Sequence, residues 1–161
     1  MSGPAIAECE RIDRVVLEGE ALTRLSPLQE ADRRQATDDL AAESRFALAV
    51  HPGPYALHLS IQEGRLVFDV RTLGGTPLQA VVLALGPFRG LLKDYQMLVD
   101  SYVLAVEEGR AERVQAIDMG RRGLHDEGAT LMIERLDGKI AIDFPTARRL
   151  FTLVCVLHQR I

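Results

Sequence analysis

The sequence has few of the side chains that stack on nucleic-acid bases: of its 161 residues none is Trp, three are Tyr and five are Phe. Its formal net charge at pH 7 is −4, a sign that repels the phosphate backbone of DNA and RNA. Phosphate neutralisation and base stacking are the main sources of nucleic-acid affinity. The sequence therefore predicts no nucleic-acid partner.

Cysteine is equally scarce, with Cys9 and Cys155 near opposite ends of the chain. Two thiols without CxxC spacing form neither a metal knuckle nor a dithiol redox motif. Cys155 lies within an apolar segment and is predicted to be a small buried residue. No metal site and no cofactor are predicted.

Long hydrophobic runs are also missing. The longest uninterrupted apolar stretch, Leu153–Leu157, is far shorter than the ~20 residues that cross a bilayer. The first residues contain no basic segment followed by an apolar one, so no signal peptide is predicted. We expect a cytoplasmic protein without a membrane partner.

The remaining composition is that of a globular protein, with 47% apolar and 26% charged residues. The length predicts one domain over residues 1–161, with residues 1–10 frayed. Alternating apolar residues predict an antiparallel pair of strands over 55–61 and 66–70, in a register that sets Leu57 opposite Val70 and Leu59 opposite Phe68. Further strands are expected over residues 12–17, 78–85 and 140–142.

Helical periodicity and capping residues predict the helices. Ser26 and Pro27 begin one that runs to about Ser44, a second starts at Pro87, and a third spans residues 111–136 unless its glycines divide it. A last helix after Asp143 is apolar almost all round, which indicates a central core helix or an oligomer interface. The predicted fold class is α+β, an antiparallel meander sheet of about four to five strands packed on three to four helices.

One polar cluster lies on a helix face that should be buried. At 100° per residue, Asp118, Arg121 and His125 share a face of the third helix with its apolar residues. Buried ionisable groups cost several kcal/mol unless they are paired and hydrogen-bonded. The cluster is either a structural network, a partner surface, or a site for a small anion, because guanidinium groups suit phosphate or carboxylate. Arg122 and Glu127 flank it and complete the set of candidate ligand-binding residues.

A second pair of candidates lies on the predicted hairpin, where the register places His58 opposite Asp69. Such a pair could serve as a general base, or form a solvated cross-strand ion pair. The Arg148 and Arg149 pair on the last helix is interpreted as a solvated edge. The sequence contains no GxSxG, Walker or dinucleotide-binding motif, and no catalytic residue is predicted.

Four blocks of the sequence resemble a known family: residues 55–70, 88–95, 116–128 and 143–158. In this order they are similar to the core blocks of uncharacterised protein family 0262 of alphaproteobacteria, and the similarity extends from about Ile12 to the end of the chain. The resemblance implies a bacterial cytoplasmic protein and assigns no reaction, cofactor or partner. It also implies that Asn is more frequent than Asp at position 126, so Asp126 is not expected to be a required acid or metal ligand.

The absence of a catalytic motif and the apolar last helix favour a non-enzymatic binding or regulatory domain. It would act through a protein partner or through a homodimer of its own. The alternative is a small enzyme or metabolite sensor that binds an anionic ligand at the cluster of Asp118, Arg121 and His125.

Overall fold

The computed structural model describes residues 6–158. Within them the chain forms six strands, four α-helices and two short 3₁₀ turns, Glu20–Thr23 and Gly86–Phe88. The strands are β1 (Ile12–Glu18), β2 (Phe46–Leu48), β3 (Tyr55–Gln62), β4 (Arg65–Arg71), β5 (Pro77–Ala84) and β6 (Ile140–Ile142). The helices are α1 (Pro27–Ala42), α2 (Arg89–Glu107), α3 (Ala111–Leu136) and α4 (Phe144–Leu157). The α+β class is confirmed.

The main sheet has the strand order β1-β3-β4-β5. Strands β3, β4 and β5 form the predicted antiparallel meander, and Leu57 faces Val70 and Leu59 faces Phe68 as expected. The prediction of a purely antiparallel sheet is wrong, because β1 pairs with β3 in parallel. A parallel pair needs a crossover connection, and here helix α1 lies in that connection. The composition of β1 marks a strand but carries no information about its direction.

A second, two-stranded sheet joins distant parts of the chain. Strand β2 pairs antiparallel with β6, with Phe46 opposite Ile142. The sequence analysis found β6 and missed β2, since three residues are too few to show a period. These strands therefore do not extend the main sheet.

Helix α4 occupies the centre of the core. Every residue from Leu150 to Leu157 is buried, which accounts for its apolar character on all sides. It contacts α1, α3 and the main sheet. Of the two roles that the sequence left open, the structure gives α4 that of the core helix, and Cys155 is buried within it.

Helix α3 is continuous over its 26 residues, so its glycines do not divide it. Gly128 lies at its crossing with α4, where the ring of Phe151 packs against it. Helix α1 begins with a capping box formed by Ser26 and Gln29, and ends at Ala42, two residues before the predicted end.

Of the segment predicted to be frayed, residues 1–5 lie outside the described part of the chain. Glu10, which lies inside it, accepts a backbone hydrogen bond from Phe46 at 2.9 Å. Across residues 6–158, none of the helices is both long and apolar enough to cross a membrane.

Candidate functional site

A polar cleft of about 360 Å³ opens between helices α1, α3 and α4. Four arginines and three aspartates line it, together with His125. We call it the helical cleft. Its walls come from three helices that are far apart in sequence, so packing of α4 against both α1 and α3 creates it.

Arg121 occupies the floor of the helical cleft and joins two helices. Its Nη1 donates to both carboxylate oxygens of Asp32 on α1, at 2.5 and 2.7 Å, and its Nη2 donates to Asp118 at 2.8 Å. The side chains of Arg121 and Asp32 are only 16% and 13% exposed. The Tyr95 hydroxyl on α2 donates to Asp32 at 3.0 Å. One guanidinium group thus holds the network together.

Protonation within this network follows from its contacts. The hydrogen bond from Arg121 lowers the pKa of Asp118 below its usual range. Burial opposes the charge of Arg121, but its hydrogen bonds to Asp32 and Asp118 outweigh that effect and raise its pKa. Burial raises the pKa of Tyr95. The network therefore contains a fixed cation and a phenol that keeps its proton at neutral pH.

His125 lies at the inner side of the helical cleft and is only 6% exposed. Its ring stacks on Tyr95 with centroids 6.1 Å apart and meets the ring of Phe151 edge-on at 6.2 Å. Burial, reinforced by the nearby charge of Arg148, lowers its pKa to about 4. Its Nε2 is buried and has no hydrogen-bond partner among the described residues. At neutral pH this is an uncharged imidazole with unused hydrogen-bonding capacity.

The two arginines of α4 form the opposite wall. Arg148 donates from Nε to Asp126 at 2.9 Å, and Arg149 donates from Nη1 to the backbone oxygen of Glu43 at 3.0 Å. The interpretation of this pair as a solvated edge is right only in part, because the two side chains are 34% and 26% exposed and also line the cleft. A helical wheel of α4 contains no residue of its neighbours. It therefore could not show that α1 and α3 place carboxylates beside Arg148 and Arg149.

The structure brings together most of the candidate residues on α3. Asp118, Arg121, Arg122 and His125 line the helical cleft. Arg122 is 72% exposed, with its Nη2 3.3 Å from Asp118. Glu127 does not join them, since it lies on another groove between α2 and α3.

Sequence reasoning missed Asp32 and Tyr95, which complete the network from α1 and α2. They are separated from Arg121 by many residues, and no local pattern connects them. The one available signal was an unpartnered cation on a face that should be buried, which requires a carboxylate from elsewhere.

The pair on the hairpin has a different arrangement from the one its register suggests. His58 and Asp69 are opposite each other in the β3–β4 register. However, His58 Nδ1 lies 3.0 Å from Glu18, and Asp69 accepts from Arg71 at 2.6 Å. Each side chain has its own partner, so the structure offers no His–Asp dyad at this place.

Among the described residues, no three His, Cys, Asp or Glu side chains group as a cation site. In the helical cleft the carboxylates bind guanidinium groups instead. The arrangement is suited to hold charged groups in fixed positions.

Comparison with known proteins places the sequence in a family. Residues 9–160 match the model of the uncharacterised protein family UPF0262. The chain belongs to UPF0262. It is 65% identical to the UPF0262 protein of Granulibacter bethesdensis, over 98% of this chain and 95% of that protein. It is 63% identical to the UPF0262 protein of Acidiphilium cryptum, over 93% of each chain.

More distant UPF0262 members show the same full-length match. The protein of Sphingopyxis alaskensis is 46% identical over 92% of this chain and 93% of its own. No solved structure matches the chain. The resemblance to this alphaproteobacterial family is confirmed, and the names of the UPF0262 relatives assign no activity.

Proposed function

We propose that this UPF0262 protein is a non-enzymatic binding domain that acts by pairing with a second copy of itself. The pairing surface is the outer side of the hairpin that α2 and α3 form. The observation that carries the proposal is the location of exposed apolar side chains. Of the nine large ones exposed in the described part of the chain, five lie on this hairpin: Met97, Val103, Leu104, Val106 and Met119.

The outer half of the hairpin contributes little to the core. Between residues 100 and 120 only Ala105 and Ile117 are buried. Leu104 and Met119 are 55% and 66% exposed. Met97 and Leu104, seven residues apart, are exposed on the same side of α2. Exposed apolar groups on one surface indicate an interaction site, since burying them against a partner gains roughly 25 cal/mol per Å².

A groove lies between α2 and α3 on one side of the hairpin. It has a volume of about 460 Å³ and runs between Met97 and Leu98 of α2 and Leu124 of α3. Ser101, Gly120 and Gly123 also line it, and residues this small let another backbone approach closely. Met97 and Leu104, seven residues apart, lie on one side of α2 and are suited to insert into the same groove of a second copy.

The charges of the hairpin favour a second copy over an unrelated partner. From residue 94 to residue 108, α2 and its end carry four carboxylates and no basic residue. Residues 110–117, at the start of α3 and outside the helical cleft, carry two arginines and one carboxylate. A two-fold arrangement places the acidic helix of one copy against the basic segment of the other, so the surface is complementary to itself.

Sedimentation velocity over a range of protein concentrations tests the proposal. We expect the wild type to sediment as a dimer at micromolar concentration, Leu104→Glu as a monomer, and dimerisation to weaken as salt rises. Val50→Glu is the matched control, because Val50 is 77% exposed and lies outside the hairpin. A wild type that remains monomeric at several hundred micromolar, or equal dimerisation of both variants, would contradict it.

A further inference from the structure

The helical cleft lies on the opposite side of α3 from the pairing groove and has features that pairing does not require. We propose that it binds a small oxyanion, the phosphate or carboxylate group of a metabolite, between Arg122, Arg148 and His125. The inference is independent of dimerisation. It stands on the cavity itself, on the donors that face it, and on the hydrogen-bonding state of His125.

The donors of the cleft fall into two groups. Arg121 is committed to structure, since its two terminal nitrogens bind the carboxylates of Asp32 and Asp118. Arg148 makes its described contact through Nε, which leaves its terminal nitrogens at the cleft wall. Arg122 has one long contact of 3.3 Å and is mostly exposed. Two guanidinium groups on different helices can therefore approach one anion, each with paired N–H donors.

The carboxylates nearby offset part of this positive charge. Asp32 and Asp118 share the charge of Arg121, and Asp118 also lies 3.3 Å from Arg122. Asp39 lies 3.7 Å from Arg149, and Asp126, the partner of Arg148, is 58% exposed. Solvent screens a pair of that exposure, so Arg148 can exchange part of its contact for a ligand. The cleft volume of about 360 Å³ accommodates the body of a small metabolite beside its charged group.

His125 supplies the second, independent observation. Native proteins rarely leave a buried polar nitrogen without a hydrogen-bond partner, so each exception calls for an explanation, of which a bound ligand is one. Nε2 of His125 is such a nitrogen, in a residue that lines the cleft beside Arg148. The ring of His125 lines the cleft while Nε2 itself is closed to solvent, so an oxyanion held by Arg122 and Arg148 would lie against the ring and reach an Nε2–H only if the ring rotates.

The test is an NMR titration of the full chain with sodium phosphate and, separately, with sodium acetate, following the ring signals of His125. Sodium chloride at matched ionic strength provides the baseline, and His125→Gln assigns the signals by removing them. We expect a saturable shift with at least one oxyanion and none with chloride. Saturation by phosphate alone or by acetate alone identifies the group that the cleft prefers.

Two variants connect the binding to the named donors. Arg122→Gln and Arg148→Gln should each weaken the apparent affinity by roughly tenfold or more, the effect of one lost charge-assisted hydrogen bond. Arg113→Gln, an exposed arginine elsewhere on α3, should leave it unchanged. Circular dichroism of each variant verifies the fold before titration. A non-saturable shift, an equal shift with chloride, or equal affinity in all three variants would overturn the proposal.

Discussion

A Cβ atom added to Gly128 would lie 2.2 Å from ring carbon Cδ2 of Phe151. Helices α3 and α4 cross at this glycine, and the phenyl ring lies against the backbone of α3. The contact sets the distance between the two helices that form one side of the helical cleft. Gly123, five residues earlier on α3, has no such neighbour within 4 Å.

We therefore expect Gly128→Ala and Gly123→Ala to change stability in opposite directions. Overpacking against Phe151 should lower the free energy of unfolding by about 1–3 kcal/mol. At Gly123 the better helix propensity of alanine should raise it by up to about 1 kcal/mol. Urea unfolding measures the free energy of unfolding of both variants and of the wild type. A stabilised Gly128→Ala variant would show that the helices can separate without cost.

Removing the central cation of the cleft should be strongly destabilising. Arg121→Met leaves Asp32 with the Tyr95 hydroxyl alone and Asp118 with only the long contact to Arg122. We expect a loss of about 3–5 kcal/mol in the free energy of unfolding, because a buried charge loses its counterion. The exposed Arg113→Met should change it by less than about 0.5 kcal/mol. Chemical denaturation measures the free energy of unfolding of both variants beside the wild type. A neutral Arg121→Met would mean that the network does not stabilise the fold.

Stability should fall on acidification because of His125. Its pKa is about 4 in the folded protein, against 6.5 for an ordinary histidine, since burial and Arg148 disfavour the charged ring while Asp32 and Asp126 only partly oppose them. Between these values the unfolded chain binds a proton that the folded chain does not. The contribution of the uncharged His125 to the free energy of unfolding is complete above pH 6.5 and is lost as the pH falls towards 4.

The free energy of unfolding should accordingly decrease by at most about 1.4 kcal/mol per pH unit over this window. The comparison of wild type with His125→Gln isolates the effect, because Asp118, His158 and the other titrating groups are present in both. Unfolding curves at pH 7, 6, 5 and 4.5 provide the measurement. Parallel pH profiles for the two proteins would exclude His125 as the source.

The capping box at the start of α1 should contribute measurably. Ser26 accepts from the backbone of Gln29, whose side chain accepts in return from the backbone of Ser26. Ser26→Ala should cost about 1 kcal/mol, and Ser26→Asp, which keeps a good capping side chain, should restore most of it. Thermal unfolding of the wild type, Ser26→Ala and Ser26→Asp measures these differences in stability. Equal stability of all three would show that the end of α1 is held by its packing alone.

Local patterns were enough for all four helices and for every strand except β2, and insufficient for their assembly. The alternation of Leu57 and Leu59 with polar residues determined the register of the β3–β4 hairpin, because each side chain must face the core or solvent. No comparable constraint connected β1 to its parallel neighbour. The direction of a strand depends on where the intervening helix packs.

The candidate site was predictable only in part for the same reason. The helical wheel placed Asp118, Arg121 and His125 on one face, and that face does line the helical cleft. Asp32, which neutralises Arg121, belongs to a different helix and is brought there by tertiary packing. A wheel also cannot tell which neighbour a side chain meets, so Glu127 was grouped with residues from which it is separated.

The position of α4 in the chain has a consequence during synthesis. The helix that fills the core is the last of the described elements to leave the ribosome, after every strand it covers. Until then the inner face of the main sheet, including Leu59 and Phe68, has no helix α4 to pack against. From the completion of β5 until the synthesis of α4, the nascent chain therefore carries an apolar sheet face without the helix that covers it in the folded protein.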